Sequence, residues 1–164
     1  ENFSIKPDII SFGKKTQVCG MLAGDRIYNL DDNVFKESSR INSTFGGNLV
    51  DMYRFKLILE IIKNEKLLSN AKTMGSYLLN HINSLADDFP GYVINPRGLG
   101  LFCAFDMTSG IERDKLIGLL MEKNLLILGS GDKSIRFRPH LNVNKNDIDI
   151  CVETIYNVLK KMLN

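Results

Sequence analysis

The stretch PDIISFGKKTQVCG, Pro7 to Gly20, decides the fold. Asp8–Phe12 is a short, nearly continuous apolar run rich in β-branched residues, the pattern of a strand buried on both faces of a parallel sheet. The run stops at Gly13, and two lysines, Lys14 and Lys15, follow at once. Side chains alternate along a strand, so Lys14 and Lys15 point to opposite sides if the strand continues through them, and only one faces a given pocket. A lysine held against apolar surface beside a second cation has its ammonium form disfavoured, and the neutral amine is what attacks a carbonyl to make a Schiff base. Two ordinary solvated lysines in a loop account for the same spacing. A phosphate-binding loop does not, because that motif needs a glycine where Asp8 stands and a Ser or Thr where Lys15 stands.

Working outward, VCGMLAG (Val18–Gly24) reads as a second short strand or a glycine-punctuated turn. From Asn48 to about Asp88 apolar residues recur at helical spacing, Leu49, Met52, Tyr53, Leu57, Leu59 and Ile62 first, then a second series from Leu67 to Leu85. Asn64 between the two series predicts two helices or one broken helix. After FPGY the pattern turns to strands: YVINP and LFCAFDM flank RGLG, and a helix from about Arg113 to Lys123 precedes LLILGSG and SIRFRP. A last helix, about Lys145 to Met162, carries Ile148, Ile150, Val152, Ile155 and Leu159 inward, with Asn144 as its cap. The fold class is α/β to α+β, with residues 1–64 expected to close a larger α/β domain through a long helix and residues 65–164 to form a compact α+β domain.

The whole composition agrees with a soluble globular chain. Its 164 residues, 44% hydrophobic and 24% charged, can bury a real core. A formal charge of +2 with both signs mixed gives no basic stripe for nucleic acid and no basic amphipathic helix for a membrane surface. The longest apolar runs, such as Leu125–Leu128, are too short to span a bilayer, and no secretory signal is present, so a cytoplasmic location is expected. Cys19, Cys103 and Cys151 are odd in number and set among apolar residues, which disfavours a disulfide framework or a zinc site and predicts three small buried hydrophobes. His81 and His140 lack a second ligand at metal-binding spacing, so no metal is expected. The chain begins at Glu1 and strand-like residues start within ten positions, as in a piece of something longer.

Two further polar sites stand out. NSTFGGN, Asn42 to Asn48, puts hydroxyls and two glycines immediately before a long helix, where backbone N–H groups gather at the positive end of the helix dipole and an anion such as phosphate can bind. A plain capped turn has the same composition. In SIRFRPH, Ser134 to His140, Ile135 and Phe137 share the core face of a strand while Arg136 and Arg138 share the other. An arginine facing a pocket grips a carboxylate through two parallel hydrogen bonds, although most strand arginines face water.

Asp8-Ile9-Ile10, two residues, Gly13-Lys14, three residues, then Val18-Cys19 resembles the lysine signature of the class III (ω-) aminotransferases, pyridoxal-phosphate enzymes of fold type I. STFGGN resembles the same family's phosphate-contacting turn, and RGLGLFCAFD and SIRFRP fall in the order of its small domain. Four matches in register across nearly the whole chain make the resemblance specific. It implies that Lys14 carries pyridoxal 5'-phosphate as a Schiff base, that Ser43 and Thr44 contact the cofactor phosphate, Thr44 that of the neighbouring subunit, and that Arg136 pairs with a substrate carboxylate. A site shared in this way implies a homodimer. Within the family, KKTQVCG and FGGNLVDMYR resemble the branch that transfers the ε-amino group of L-lysine to 2-oxoglutarate, giving 2-aminoadipate 6-semialdehyde and L-glutamate, where most ω-aminotransferases continue FGGNPL.

The family's other cofactor groups belong upstream of Glu1: the carboxylate on the pyridine nitrogen, the stacking aromatic, the first phosphate cup, the glutamate that gates the arginine and a second carboxylate-binding arginine. By this resemblance the chain is a C-terminal portion, inactive alone. Another ω-aminotransferase, acting on ornithine, 4-aminobutyrate or acetylornithine, is one alternative. A non-catalytic α+β assembly module is another, although a scaffold needs none of Lys14, Thr44 and Arg136.

Overall fold

Ile9–Phe12 forms β1 and pairs antiparallel with β2, Gly20–Ala23, in the register Ile9 to Ala23 through Phe12 to Gly20. The structure is a computed structural model that describes residues 3–41 and 43–163, without the side chain of Lys15. It divides into two units, one ending at Asn64 and one beginning at Glu65. In the first unit the apolar run is a strand without cover, as expected of a central strand whose neighbours are absent: Ile9 and Ile10 are 49% and 47% exposed, and among the described residues the only strand paired with β1 is its antiparallel neighbour. A continuous apolar run specifies a strand but not what covers it. Phe12 is the exception, lying over Gly20 and stacking on Phe55 with centroids 4.8 Å apart. A Cβ on Gly20 would meet the Phe12 ring at 2.5 Å, so any larger residue there would have to displace that ring.

A short helix, α1, Asp25–Tyr28, follows, and an exposed Asp8–Arg26 ion pair at 3.0 Å ties it back to the start of β1. Asn33 is buried because it organises the next turn, donating to the Leu30 carbonyl at 2.8 Å and accepting from the Phe35 amide at 2.9 Å. The long helical region is two helices, α2, Leu49–Asn64, and α3, Leu67–Asp88, broken where Lys66 adopts φ 54. No residue of α2 is buried.

The second unit is a four-stranded antiparallel sheet in the order β3, β4, β6, β5, comprising Ile94–Leu99, Phe102–Asp106, Ser134–Phe137 and Leu128–Ser130 respectively. Three helices line its inner face: α3, α4 (Gly110–Glu122) and α5 (Lys145–Leu163). The core between them includes Leu78, Ile82, Phe105, Leu116, Ile135, Ile155 and Leu159. The RGLG segment does not separate two strands as expected. Arg97, Gly98 and Leu99 belong to β3, and only Gly100 and Leu101 turn, with Gly100 at φ 55. Gly75 of α3 packs on that turn so closely that a Cβ would lie 2.2 Å from Gly100 backbone atoms.

Helix α4 begins earlier than its periodicity predicts because Ser109 accepts the Glu112 amide at 3.2 Å as a cap. Helix α5 is capped reciprocally by Asn144 and Asp147 at 3.0 and 3.2 Å, as the sequence predicts for Asn144. Ile150 is a correction, since it is 56% exposed while Val158 takes the inward position. Cys103 is buried and Cys151 partly so, but Cys19 is exposed on the uncovered hairpin. Burial pushes the Cys103 and Cys151 thiols up to about 11, which keeps both protonated at neutral pH.

Candidate active site

The strand does not continue through the lysines. After Gly13 the backbone enters a single 3-10 turn over Lys14–Thr16, closed by the Gln17 amide on the Lys14 carbonyl at 2.9 Å and by the Thr16 hydroxyl on the Val18 carbonyl at 2.6 Å. Alternation therefore does not decide between Lys14 and Lys15, and the Lys15 side chain lies outside the described residues. Lys14 has φ 58, a left-handed conformation in which a non-glycine residue stores strain of order 1–3 kcal/mol. Its side chain is exposed at the closed end of the hairpin.

Asn42 lies outside the described residues, and the rest of the second site is a turn over residues 44–47 ahead of α2. The Gly46 amide donates to the Ser43 carbonyl at 3.1 Å and the Asn48 amide to the Phe45 carbonyl at 3.3 Å, while Gly47 has φ 71. The helix start differs from expectation: Asn48 Oδ1 already accepts the Val50 amide at 2.8 Å and the Asp51 amide at 3.4 Å, so the first-turn donors are partly spent on the cap. Among the described residues nothing accepts from the amides of Thr44, Phe45 and Gly47. Those amides and the exposed hydroxyls of Ser43 and Thr44 are what the turn offers an anion. A Cβ on Gly46 would sit 2.7 Å from Ser43 Oγ and displace that hydroxyl. Among the described residues no hydrogen bond joins Lys14 to Ser43 or Thr44.

Arg136 belongs to the second unit, on the outer face of β6, with Ile135 and Phe137 buried on the inner face as the alternation predicts. Its registered neighbours are Ala104 on β4 and Leu128 on β5, neither able to accept a side-chain hydrogen bond. Arg136 Nε is accordingly buried without a partner, and among the described residues Arg136 forms no ion pair. A cavity of about 300 Å³ opens beside it, walled largely by Leu125, Leu126, Leu128, Pro139 and Val143. Arg138, His140 and Asp147 also line the cavity, and among the described residues none of them forms an ion pair with Arg136; a guanidinium so placed can accept a carboxylate.

Sequence reasoning did not single out a cluster on the same face. Asp106 is only 8% exposed, and its carboxylate meets Arg97 at 2.9 Å, the Ser134 hydroxyl at 2.5 Å and the Asn95 amide at 3.0 Å. Burial opposes its ionisation, but the hydrogen bonds from Ser134, Asn95 and Arg97, with the charge of Arg97, outweigh it and hold the carboxyl below its ordinary range. The available signal was an acid closing the apolar strand LFCAFD, since a buried carboxylate requires partners. Of the histidines, His140 is locally bonded, its Nδ1 2.8 Å from Asn142 Oδ1, while His81 on α3 has Nε2 3.5 Å from Asp149 on α5. Among the described residues no cluster of His, Cys, Asp and Glu could hold a metal ion, and no helix is long and apolar enough to cross a membrane.

Lys14 in its hairpin, the Ser43–Gly47 turn and Arg136 on the small antiparallel sheet are the places at which the sequence resembles the class III aminotransferases. The chain belongs to that family: the model of the class-III aminotransferases matches residues 1–159. Among curated relatives, the L-lysine-epsilon aminotransferase of Mycobacterium tuberculosis is 45% identical over 159 residues, 97% of this chain and 35% of that protein. The L-lysine-epsilon aminotransferase of Amycolatopsis lactamdurans is 41% identical over 94% of this chain and 35% of its own length. A solved lysine aminotransferase from M. tuberculosis in the internal aldimine form superposes with a TM-score of 0.92 at 44% identity, covering 98% of this chain and 37% of that one. The chain thus spans about a third of the length of these relatives. The family uses pyridoxal phosphate, and the residues present fit part of that group: an amine at Lys14, and donors without a carboxylate among them at Ser43–Gly47.

Proposed function

We propose that this chain is the C-terminal part of an L-lysine 6-aminotransferase, which transfers the ε-amino group of L-lysine to 2-oxoglutarate and yields 2-aminoadipate 6-semialdehyde and L-glutamate. The observation that carries the reading is Lys14, exposed in a left-handed turn between β1 and β2 at the position of the family's lysine signature. Relatives named for lysine ε-aminotransfer, 45% identical over nearly the same span, support the choice of donor.

Pyridoxal phosphate, when bound, supplies the electron sink for the charge left on a substrate carbon as its proton departs. Lys14 holds the cofactor through its amine. When not engaged with the cofactor, Lys14 Nζ would take the proton from the amine-bearing carbon of the donor as a base and, as an acid, deliver it to the cofactor carbon rather than back to the carbon it left. Ser43, Thr44 and the turn amides hold the phosphate, Thr44 that of the neighbouring subunit, so the enzyme is a homodimer with shared sites. Arg136 pairs with the carboxylate of glutamate or 2-oxoglutarate.

On this reading residues 1–64 close the large cofactor-binding domain and include the interdomain helix, and residues 65–164 are the small domain. The exposed apolar residues of β1, β2 and α2 are then surfaces that upstream residues or a second copy cover. The 164 residues alone hold no stable cofactor and show no transaminase activity.

The test gives the full-length enzyme lysine carrying nitrogen-15 only on the ε-amine, with 2-oxoglutarate as acceptor. Labelled glutamate is expected. Unlabelled glutamate, or a preference for ornithine or 4-aminobutyrate over lysine in kcat/KM, refutes the assignment of donor.

A further inference from the structure

Arg97 and Arg136 lie in one cross-strand row on the outer face of the second unit's sheet, with Arg138 just past the end of β6, and of the two in the row only Arg97 is ion-paired among the described residues. Strand β3 takes three steps, from Ile94 to Arg97, where β4 takes two, from Asp106 to Ala104. The extra residue forms a bulge, with Asn95 at φ 54 and Pro96, which has no N–H to offer, inside it. Without the bulge Arg97 would stand opposite Cys103 and point into the core. With it, Arg97 stands opposite Ala104, in the row that continues to Arg136.

The Arg97 guanidinium reaches across β4 to β6. Its Nη2 lies 2.9 Å from Ser134 Oγ and 2.9 Å from Asp106 Oδ1, and its Nη1 donates to the Asn95 carbonyl at 2.9 Å. Ser134 precedes Arg136 by two residues on the same face, so the two cationic groups are anchored about 7 Å apart along one strand. Asp106 is engaged through both oxygens, by Ser134 and Arg97 on one and Asn95 on the other. Arg97 is therefore charge-paired, whereas Arg136 Nε has no hydrogen-bond partner among the described residues.

We propose that Asp106, with Asn95 and Ser134, is a positioning group that locks Arg97 out of anion binding and leaves Arg136 as the one guanidinium of this cross-strand row on which an acceptor carboxylate can dock. The proposal rests on the reading of Arg136 given above. With the lock removed, two free guanidiniums would flank Ala104 on one face, and a carboxylate would be shared between them instead of seated on Arg136. The acceptor would bind no more weakly but would sit off line for reaction, because misplacement costs rate rather than affinity. Small inorganic anions would gain a second cation.

In the full-length enzyme, Asp106→Asn is expected to lower kcat with 2-oxoglutarate by about tenfold without raising KM, the split that marks a lost alignment. The same variant should be inhibited by inorganic sulfate about tenfold more strongly than the parent, a gain that a merely damaged fold would not produce. Adding Arg97→Gln to it should restore kcat to within about threefold and abolish the extra inhibition, as coupled residues do in a double-mutant cycle. Where Asp106→Asn does not fold, Ser134→Ala loosens the same lock, with sulfate inhibition expected to rise about threefold. Unchanged sulfate inhibition in whichever of the two variants folds, or a loss in Asp106→Asn that Arg97→Gln does not relieve, overturns the proposal. If Arg136→Ala leaves 2-oxoglutarate use unchanged, the reading of Arg136 fails and this proposal with it; if Arg136→Ala acts and the lock variants do not, only the lock is refuted.

Discussion

The proposed acceptor site turns on a single side chain, Arg136. Strand alternation puts it on the face away from the core, and register puts Ala104 and Leu128 on either side, so its charge is matched by nothing on its own sheet. Removing a bidentate partner from an enclosed carboxylate costs on the order of 2–5 kcal/mol. Arg136→Ala in the full-length enzyme should therefore reduce kcat/KM for 2-oxoglutarate by orders of magnitude, and a steady-state titration of the acceptor checks it; an unchanged value would mean that the residue only faces water. Its placement was legible in the sequence because Ile135 and Phe137 fix which way the strand faces. The geometry of Lys14 was not. A left-handed φ at a lysine follows from how the hairpin closes, with Gln17 also at φ 62, and neither residue type announces it.

At the scale of elements, the legible parts were those with a strong period. Helices α3 and α5 follow their apolar spacing and the α5 cap follows Asn144, whereas Ile150 shows that an apolar residue at the margin of a stripe can face water. The β3 bulge was illegible, because an inserted residue flips every later side chain without changing composition. Its consequence is measurable through Asp106. The carboxyl is held below its ordinary range, so its stabilising contribution is fully present above the unfolded carboxylate pKa of about 3.9 and is lost as pH falls through the lower folded value. Denaturant midpoints of the parent and Asp106→Asn should differ at neutral pH and converge in acid; a constant gap would contradict the ionised network. Helix α3 supplies a second test. Gly75→Ala drives a Cβ against the Gly100 backbone, which cannot swing aside as a side chain would, and should destabilise by about 1–3 kcal/mol, read as a lowered Tm. An unaltered Tm would mean that α3 and the β3–β4 turn are farther apart than described.

For the whole molecule, the second unit contains its own sheet, helices and core, while in the first unit β1, β2 and α2 leave most of their apolar residues exposed. The sequence pattern of β1 is that of a covered strand, and the reading as part of a longer class III aminotransferase supplies the cover. Everything in that reading converges on one bond, between Lys14 and the cofactor. The direct measurement is to reduce the full-length enzyme with borohydride, digest it and map the pyridoxyl-modified lysine by mass spectrometry. The account predicts modification in the peptide spanning Gly13–Gly20, with the added mass on Lys14 and none on Lys15. Modification of Lys15, of a lysine elsewhere, or of none would contradict it.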